Sequence, residues 1–184
     1  MQKKITLDEL PRHSPWVARL LSLEPFVGNP KTEDNLYKEY NDDKYGELSF
    51  ADTMEQAIAL YLGPDVEVPV SRHNELFLQP KHEAYAYNTA LVVDSLRSLM
   101  KNVSCVVELG AGFGQTLSFL QKEFPHHTYI AGEFTQNGLE TGKRLLPNVQ
   151  FVPFNFFDEE WSIFAGLGNV LVLTVHAVEV YPDA

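Results

Sequence analysis

Apolar positions recur at helical spacing through the first hundred residues and gather into short β-rich runs after about residue 102. Residues 16 to 23 read as a short helix behind Ser14 and Pro15, which suit the cap and the first turn; Pro25, Gly28 and Pro30 break it. Residues 32 to 44 carry Leu36, Tyr37 and Tyr40 at helical spacing, and residues 50 to 62 form a third helix closed by Gly63 and Pro64. Residues 65 to 79 give no clear period. The strongest helical stretch is 81 to 101, with Tyr85, Val92, Val93, Leu96, Leu99 and Met100 along one face.

Beyond it, strands are expected at 105 to 109, 128 to 134, 149 to 154 and 170 to 175. Helices are expected at 115 to 124, 137 to 146 and 159 to 167. Alternation at this spacing predicts an α/β fold with a parallel sheet covered on both faces by right-handed crossovers. The expected organisation is a helical N-terminal region or cap, 1 to 101, followed by an α/β core, 102 to 184, holding four strands.

Composition narrows the function. The chain has 184 residues and a formal net charge of −11, with no basic run to replace counterions on phosphates, so nucleic acid is not the expected partner. A small neutral or cationic molecule, or a protein, is easier to accommodate, and a small-molecule substrate is expected. No run approaches the roughly 20 apolar residues that cross a bilayer, and Asp8 and Glu9 stand where a signal peptide would be apolar, so a cytoplasmic address is expected. The single cysteine, Cys105, excludes an internal disulfide and a thiolate zinc cluster; its apolar neighbours make it a buried strand residue. His126 and His127 fall at the end of the sheet away from ligands, and the pairs His73/Glu75 and His82/Glu83 lack zinc spacing.

The chemistry concentrates in Glu108-Leu109-Gly110-Ala111-Gly112-Phe113-Gly114-Gln115, at the first strand-to-helix turn of the core. Glycines on alternate positions let the backbone bend tightly and approach a ligand, and the following helix offers unpaired N–H groups. A dinucleotide fingerprint needs its last glycine where Gln115 stands, and no Gly-Lys-Ser/Thr follows to make a phosphate loop. The observed G-x-G-x-G with a preceding acid resembles motif I of class I S-adenosylmethionine-dependent methyltransferases. The resemblance implies a Rossmann-like, doubly wound, mainly parallel sheet with S-adenosylmethionine as cofactor, touched by Glu108, Gly110, Ala111, Gly112 and Gly114. About 20 residues on, Glu133 ends the next strand, where a carboxylate can accept both ribose hydroxyl protons. Phe134 beside it is a candidate adenine contact. After the third strand the resemblance places Asn155 at the adenine amino group, with Asp158 as its rival, and Phe156 as a backbone contact. Past the fourth strand it places Thr174 near the methionine end. The requirement is that the three glycines be free of packed side chains and that Glu133 face them.

Methyl transfer from a sulfonium needs alignment above all, and a base when a hydroxyl is the acceptor. His176 is the candidate base, with Glu179 three residues on to orient it. The first half resembles loosely the N-terminal region of sugar O-methyltransferases, in Pro15 to Leu21 and in Lys31, Thr32 and Tyr37 to Tyr40. This implies a sugar acceptor and a cap whose Trp16, Tyr37, Tyr40 and Tyr45 stack on it or pack against the sheet. A complete domain of that class has seven strands, so this sheet is expected to be incomplete on its C-terminal side. The chain is then expected to be part of a longer protein; otherwise another chain or a rearranged first half must cover the exposed fourth strand. The competing function is a non-catalytic cofactor-binding or assembly module.

Overall fold

The computed structural model describes residues 3 to 22, 32 to 158 and 161 to 177, apart from the side chain of Trp16. In chain order, β1 (Lys3–Ile5) leads to α1 (Leu10–His13) and α2 (Pro15–Ser22). Next, α3 (Glu33–Lys38) runs into a π-helical turn, Glu39–Lys44, and a 3-10 turn, Gly46–Phe50. Then come α4 (Met54–Leu62), β2 (Glu67–Arg72), β3 (Glu75–Pro80), α5 (Lys81–Leu96), β4 (Cys105–Leu109), α6 (Gln115–Glu123), β5 (Thr128–Glu133), α7 (Gln136–Leu145), β6 (Gln150–Pro153) and β7 (Val170–Leu173).

Two compact units result, Met1–Asn29 with Leu62–Leu91, and Pro30–Tyr61 with Val92–Ala184. The expected division near residue 102 is therefore not where the chain clusters: residues 30 to 61 belong with the α/β core.

The first unit is not all helical. Its three-stranded antiparallel sheet runs β1-β3-β2, and β2 and β3 form a hairpin through the stretch whose period was illegible. Pro69 blurs the alternation, and it is tolerated because β2 is an edge strand. The turn uses His73 and Asn74, both left-handed at φ 51° and 64°, where the usual sequence cue is Asn-Gly or Gly. Ile5, Leu78 and Gln79 are buried, and the Arg72 guanidinium lies over the Tyr87 ring while donating to Gln79 Oε1 at 2.7 Å.

The second unit holds a four-stranded, all-parallel sheet in the order β6-β5-β4-β7. Side chains alternate along β4: Cys105, Val107 and Leu109 pack with Ile130 and Phe154 on one face, whereas Val106 joins Leu117, Leu120, Tyr129, Ala131, Leu139 and Phe151 on the other. Leu48, Ala51, Met54 and Ala57 complete that second layer. A sheet buried on both faces explains why its strands read as near-continuous apolar runs. Cys105 is buried, as its neighbours implied, and burial pushes its thiol pKa up.

Smaller differences lie at element ends. The expected helix at 81 to 101 stops at Leu96 and is followed by a 3-10 turn, Met100–Asn102. The expected helix at 159 to 167 is, among the described residues, only the 3-10 turn Ser162–Phe164. In the middle of α7, Gly142 lies so close to the sheet that an added Cβ would overlap the Phe151 ring. Gly142→Ala should therefore destabilise the second unit by about 1–3 kcal/mol despite alanine's better helix propensity, read as a lower urea midpoint; an unchanged midpoint would show that Phe151 yields freely.

Candidate functional site

The strand order sets the position of the site. The chain leaves β4 for β5 and β6 on one side and returns to β7 on the other, so β4 and β7 flank the point where the winding reverses. In open α/β sheets the crevice beyond the carboxyl ends at that point receives ligands. The loop after β4 lies there. Gly110, Gly112 and Gly114 all have left-handed φ, 70°, 57° and 83°. The N–H groups of Gly110 and Ala111 both donate to Gly132 O at 2.9 Å, which ties the loop to the end of β5.

Glu133 faces this loop. Its Oε2 accepts from the Gly112 N–H at 2.9 Å, and its Oε1 accepts from the Thr135 N–H at 2.9 Å and the Thr135 hydroxyl at 2.5 Å. Thr135 also caps α7, accepting from the Gly138 N–H. Burial raises the Glu133 pKa, and the hydrogen bonds from Thr135 and Gly112 oppose the rise.

Glu108 shares Val106's face of β4 and is 2% exposed. Its pKa is raised to about 8, chiefly by burial, with the Thr116 hydrogen bond opposing and the charge of Glu133 adding to the rise. Two side-chain atoms at this turn, Glu108 Oε2 and Gln115 Oε1, are buried and have no hydrogen-bond partner among the described residues. Native proteins rarely leave such atoms unmatched, so each calls for a water or a polar atom of a ligand.

The glycine requirement is not met. A Cβ at Gly110 would overlap Ala177, one at Gly112 would stand 2.7 Å from the Tyr45 hydroxyl, and one at Gly114 would stand 2.7 Å from Phe151 and 2.8 Å from Leu146. The chain's own packing thus accounts for the three missing side chains, and the glycine pattern alone is no sign of a ligand. Sequence reading could not foresee this, because Tyr45 and Ala177 are remote from the loop along the chain. The weight passes to the two acids.

The remaining candidates surround the same edge. Phe134 meets Tyr37 edge-to-face at 5.5 Å between centroids. Asn155 is already engaged: its amide nitrogen donates to Glu33 and its oxygen accepts from the Phe157 N–H at 3.0 Å. Phe156 packs edge-on against Phe154 at 4.9 Å. Asp158 carries its carbonyl to the Trp161 indole at 3.1 Å. Thr174 and His176 are exposed just past β7, His176 with φ 56°. Glu179 lies outside the described residues, so the proposed His176–Glu179 pairing is not placed. Of the cap aromatics, Tyr45 is buried in the core rather than free to stack on an acceptor. His127 bridges to the carbonyls of Phe124 and Met100, a structural role. Among the described residues no cluster of three or more metal-ligating side chains occurs, and no helix is long and apolar enough to cross a membrane. Thr116, Thr135 and Tyr45 meet Glu108, Glu133 and Gly112, and motif spacing did not single them out; only Thr135 carries a cue, its cap position after Glu133.

No family model and no curated protein sequence matches the chain. Among solved structures it is similar to the plantazolicin methyltransferase BpumL in complex with a monoazolic desmethylPZN analog and SAH (TM-score 0.34, 13% identity, 42% of this chain and 30% of that one). It is also similar to Streptomyces venezuelae DesVI (0.37, 21%, 48% and 36%) and to human N-acetylserotonin methyltransferase in complex with SAM (0.27, 10%, 72% and 69%). The matched region spans about a third of the first two proteins. Likenesses this partial leave function to be argued from the chain's own residues.

The buried acid has a consequence for stability. A carboxyl whose pKa is higher folded than unfolded binds more protons in the folded state, so stability falls as pH rises. For Glu108 its contribution is complete below about 4.5 and lost as pH passes about 8. Glu108→Gln should flatten the decline in stability across that window in urea titrations at several pH values; an unaltered slope would show that Glu108 is ionised throughout.

Proposed function

We propose that this chain binds S-adenosylmethionine at the carboxyl end of β4 and β5 and serves methyl transfer to a small-molecule acceptor. The observation that carries the reading is the pair of buried acids at the switch point: Glu133 turned to the loop on Gly112, and Glu108 beneath it with an unmatched oxygen. Together they suit a ligand that brings hydroxyl donors and a positive charge. A nicotinamide dinucleotide would use Glu133 on its ribose in the same way; what disfavours it is Gln115, which stands where its fingerprint needs the last glycine.

Bound, the cofactor supplies a methyl group on a positively charged sulfur. The chain's residues then have distinct tasks. Thr135 and the Gly112 N–H aim Glu133, whose remaining lone pair accepts from a ribose hydroxyl. Glu108 places negative charge near the cation. Phe134 and Asn155 form the adenine side, with the Asn155 amide leaving Glu33 when the base arrives. Gly110, Ala111, Gly114, Phe156 and Thr174 border the same seat. His176, exposed past β7, takes the proton when the acceptor is a hydroxyl. A sugar hydroxyl is the acceptor we favour, on the strength of the cap's sequence and its half-exposed Tyr37.

The packing of Tyr45 and Ala177 against the loop glycines favours a second reading, a module that keeps the fold without catalysis. Transfer of a labelled methyl group to a panel of sugars and phenols separates the two.

Calorimetric titration with S-adenosylmethionine should show saturable binding, and Glu133→Gln should weaken it by about 1–3 kcal/mol with the fold intact by circular dichroism. Preference for a nicotinamide dinucleotide would overturn the assignment. With its pKa raised to about 8, Glu108 should lose its proton when a sulfonium binds beside it, so S-adenosylmethionine should release more protons on binding than the neutral thioether S-adenosylhomocysteine. Titration in buffers of different ionisation heat measures the difference, and equal release would remove Glu108 from the cation's surroundings.

A further inference from the structure

The Tyr45 side chain is set against the loop by an unusual piece of backbone. The π-helical turn Glu39–Lys44 closes with a Tyr45 N–H to Tyr40 carbonyl bond of 2.9 Å, a five-residue step that brings both rings to one side. The Tyr45 ring then packs against Tyr40 at 5.9 Å, Tyr61 at 6.1 Å and Phe113 at 5.9 Å between centroids. The segment carrying it is fastened on both sides to α7. Asn41 accepts from the Asn137 N–H at 2.9 Å through its side chain and from the Asn137 amide at 2.8 Å through its carbonyl, while Arg144 donates to the carbonyls of Leu48 and Ala51.

These ring contacts and the two ties to α7 set the position of the Tyr45 ring. Its ring rests on Phe113 of the loop, and its hydroxyl end stands in front of Gly112. That hydroxyl has no hydrogen-bond partner among the described residues. It is kept protonated, because burial first and then the charge of Glu133 raise its pKa well above the usual phenol value. The nearest acid in this electrostatic sense is the same Glu133 that holds the Gly112 N–H.

We infer that Tyr45 is a ligand-binding residue whose hydroxyl donates to a ribose oxygen of the adenosyl group while Glu133 accepts from the ribose, so that the two together recognise a vicinal diol. The inference rests on the adenosyl reading of the site. Its chemical basis is complementarity: a ribose hydroxyl both donates and accepts, Glu133 when ionised can only accept, and the protonated Tyr45 supplies the missing donor. Glycine at 112 then serves to let the phenol in, rather than to let the ligand touch the backbone.

The test uses the full chain, wild type and Tyr45→Phe, titrated with S-adenosylmethionine, S-adenosylhomocysteine and 5′-methylthioadenosine. Phenylalanine keeps the ring contacts, and Tyr61→Phe controls for loss of a hydroxyl elsewhere in the aromatic group. Tyr45→Phe should bind all three ligands roughly tenfold more weakly, because all share the ribose, with the melting midpoint unchanged or raised. A double-mutant cycle pairs the variant with the 2′-deoxy and 3′-deoxy forms of 5′-methylthioadenosine. Non-additive losses with either form support the contact, and this holds even if the variant's stability shifts. Wild-type affinity in Tyr45→Phe, a loss confined to ligands bearing the amino-acid end, or additive losses with both deoxy forms would each overturn the role of Tyr45 while leaving the adenosyl reading standing. Failure of the wild type to bind any of the three would overturn both.

Discussion

A single carboxylate joins the parts of this site. Glu133 ends β5, yet its two oxygens are held by the N–H of Gly112 on the β4 loop and by the backbone and hydroxyl of Thr135 at the start of α7. Burying an acid here is unfavourable, and three donors offset much of that cost. The result is a rigid corner: the loop cannot drift from β5 without uncovering a buried carboxylate, and α7 cannot unwind at its first turn without losing its cap.

Much else follows from that corner. With the loop fixed, Glu108 lies under it at 2% exposure, close enough for Glu133's charge to add to the rise in its pKa. A cation bound beside Glu108 would favour its ionised form, which points the same way as the acidic balance of the whole chain. The segment from Glu33 to Phe50 is then held against the same edge, with Tyr37 on Phe134, Glu33 on Asn155 and Tyr45 on Gly112. A region that reads as a separate cap is in packing terms a wall of the core unit.

The difference between pattern and packing is clearest at the glycines. Their spacing drew attention to the loop at the switch point of the sheet, and all three adopt the left-handed backbone that glycine suits. The reason for their lacking side chains is different from the one the pattern suggests, since Tyr45, Ala177, Phe151 and Leu146 fill the space. A motif reports that close approach occurs at a position and is silent on what approaches. The hairpin in the first unit makes the same point: Pro69 and a His-Asn turn hid a regular antiparallel pair from any reading by period.

What the sequence determined by itself is local or periodic. The four parallel strands, helices α6 and α7 and the loop with its two flanking acids are legible, because burial on both sheet faces writes apolar runs and tight turns write glycine. Tertiary structure alone decided which remote residues meet those positions: residues 30 to 61 joining the core, Tyr45 reaching Gly112 through a π-helical turn, and Glu108 keeping an unmatched oxygen. Such meetings depend on how segments far apart in the chain exclude water together, and neither period nor motif spacing encodes that.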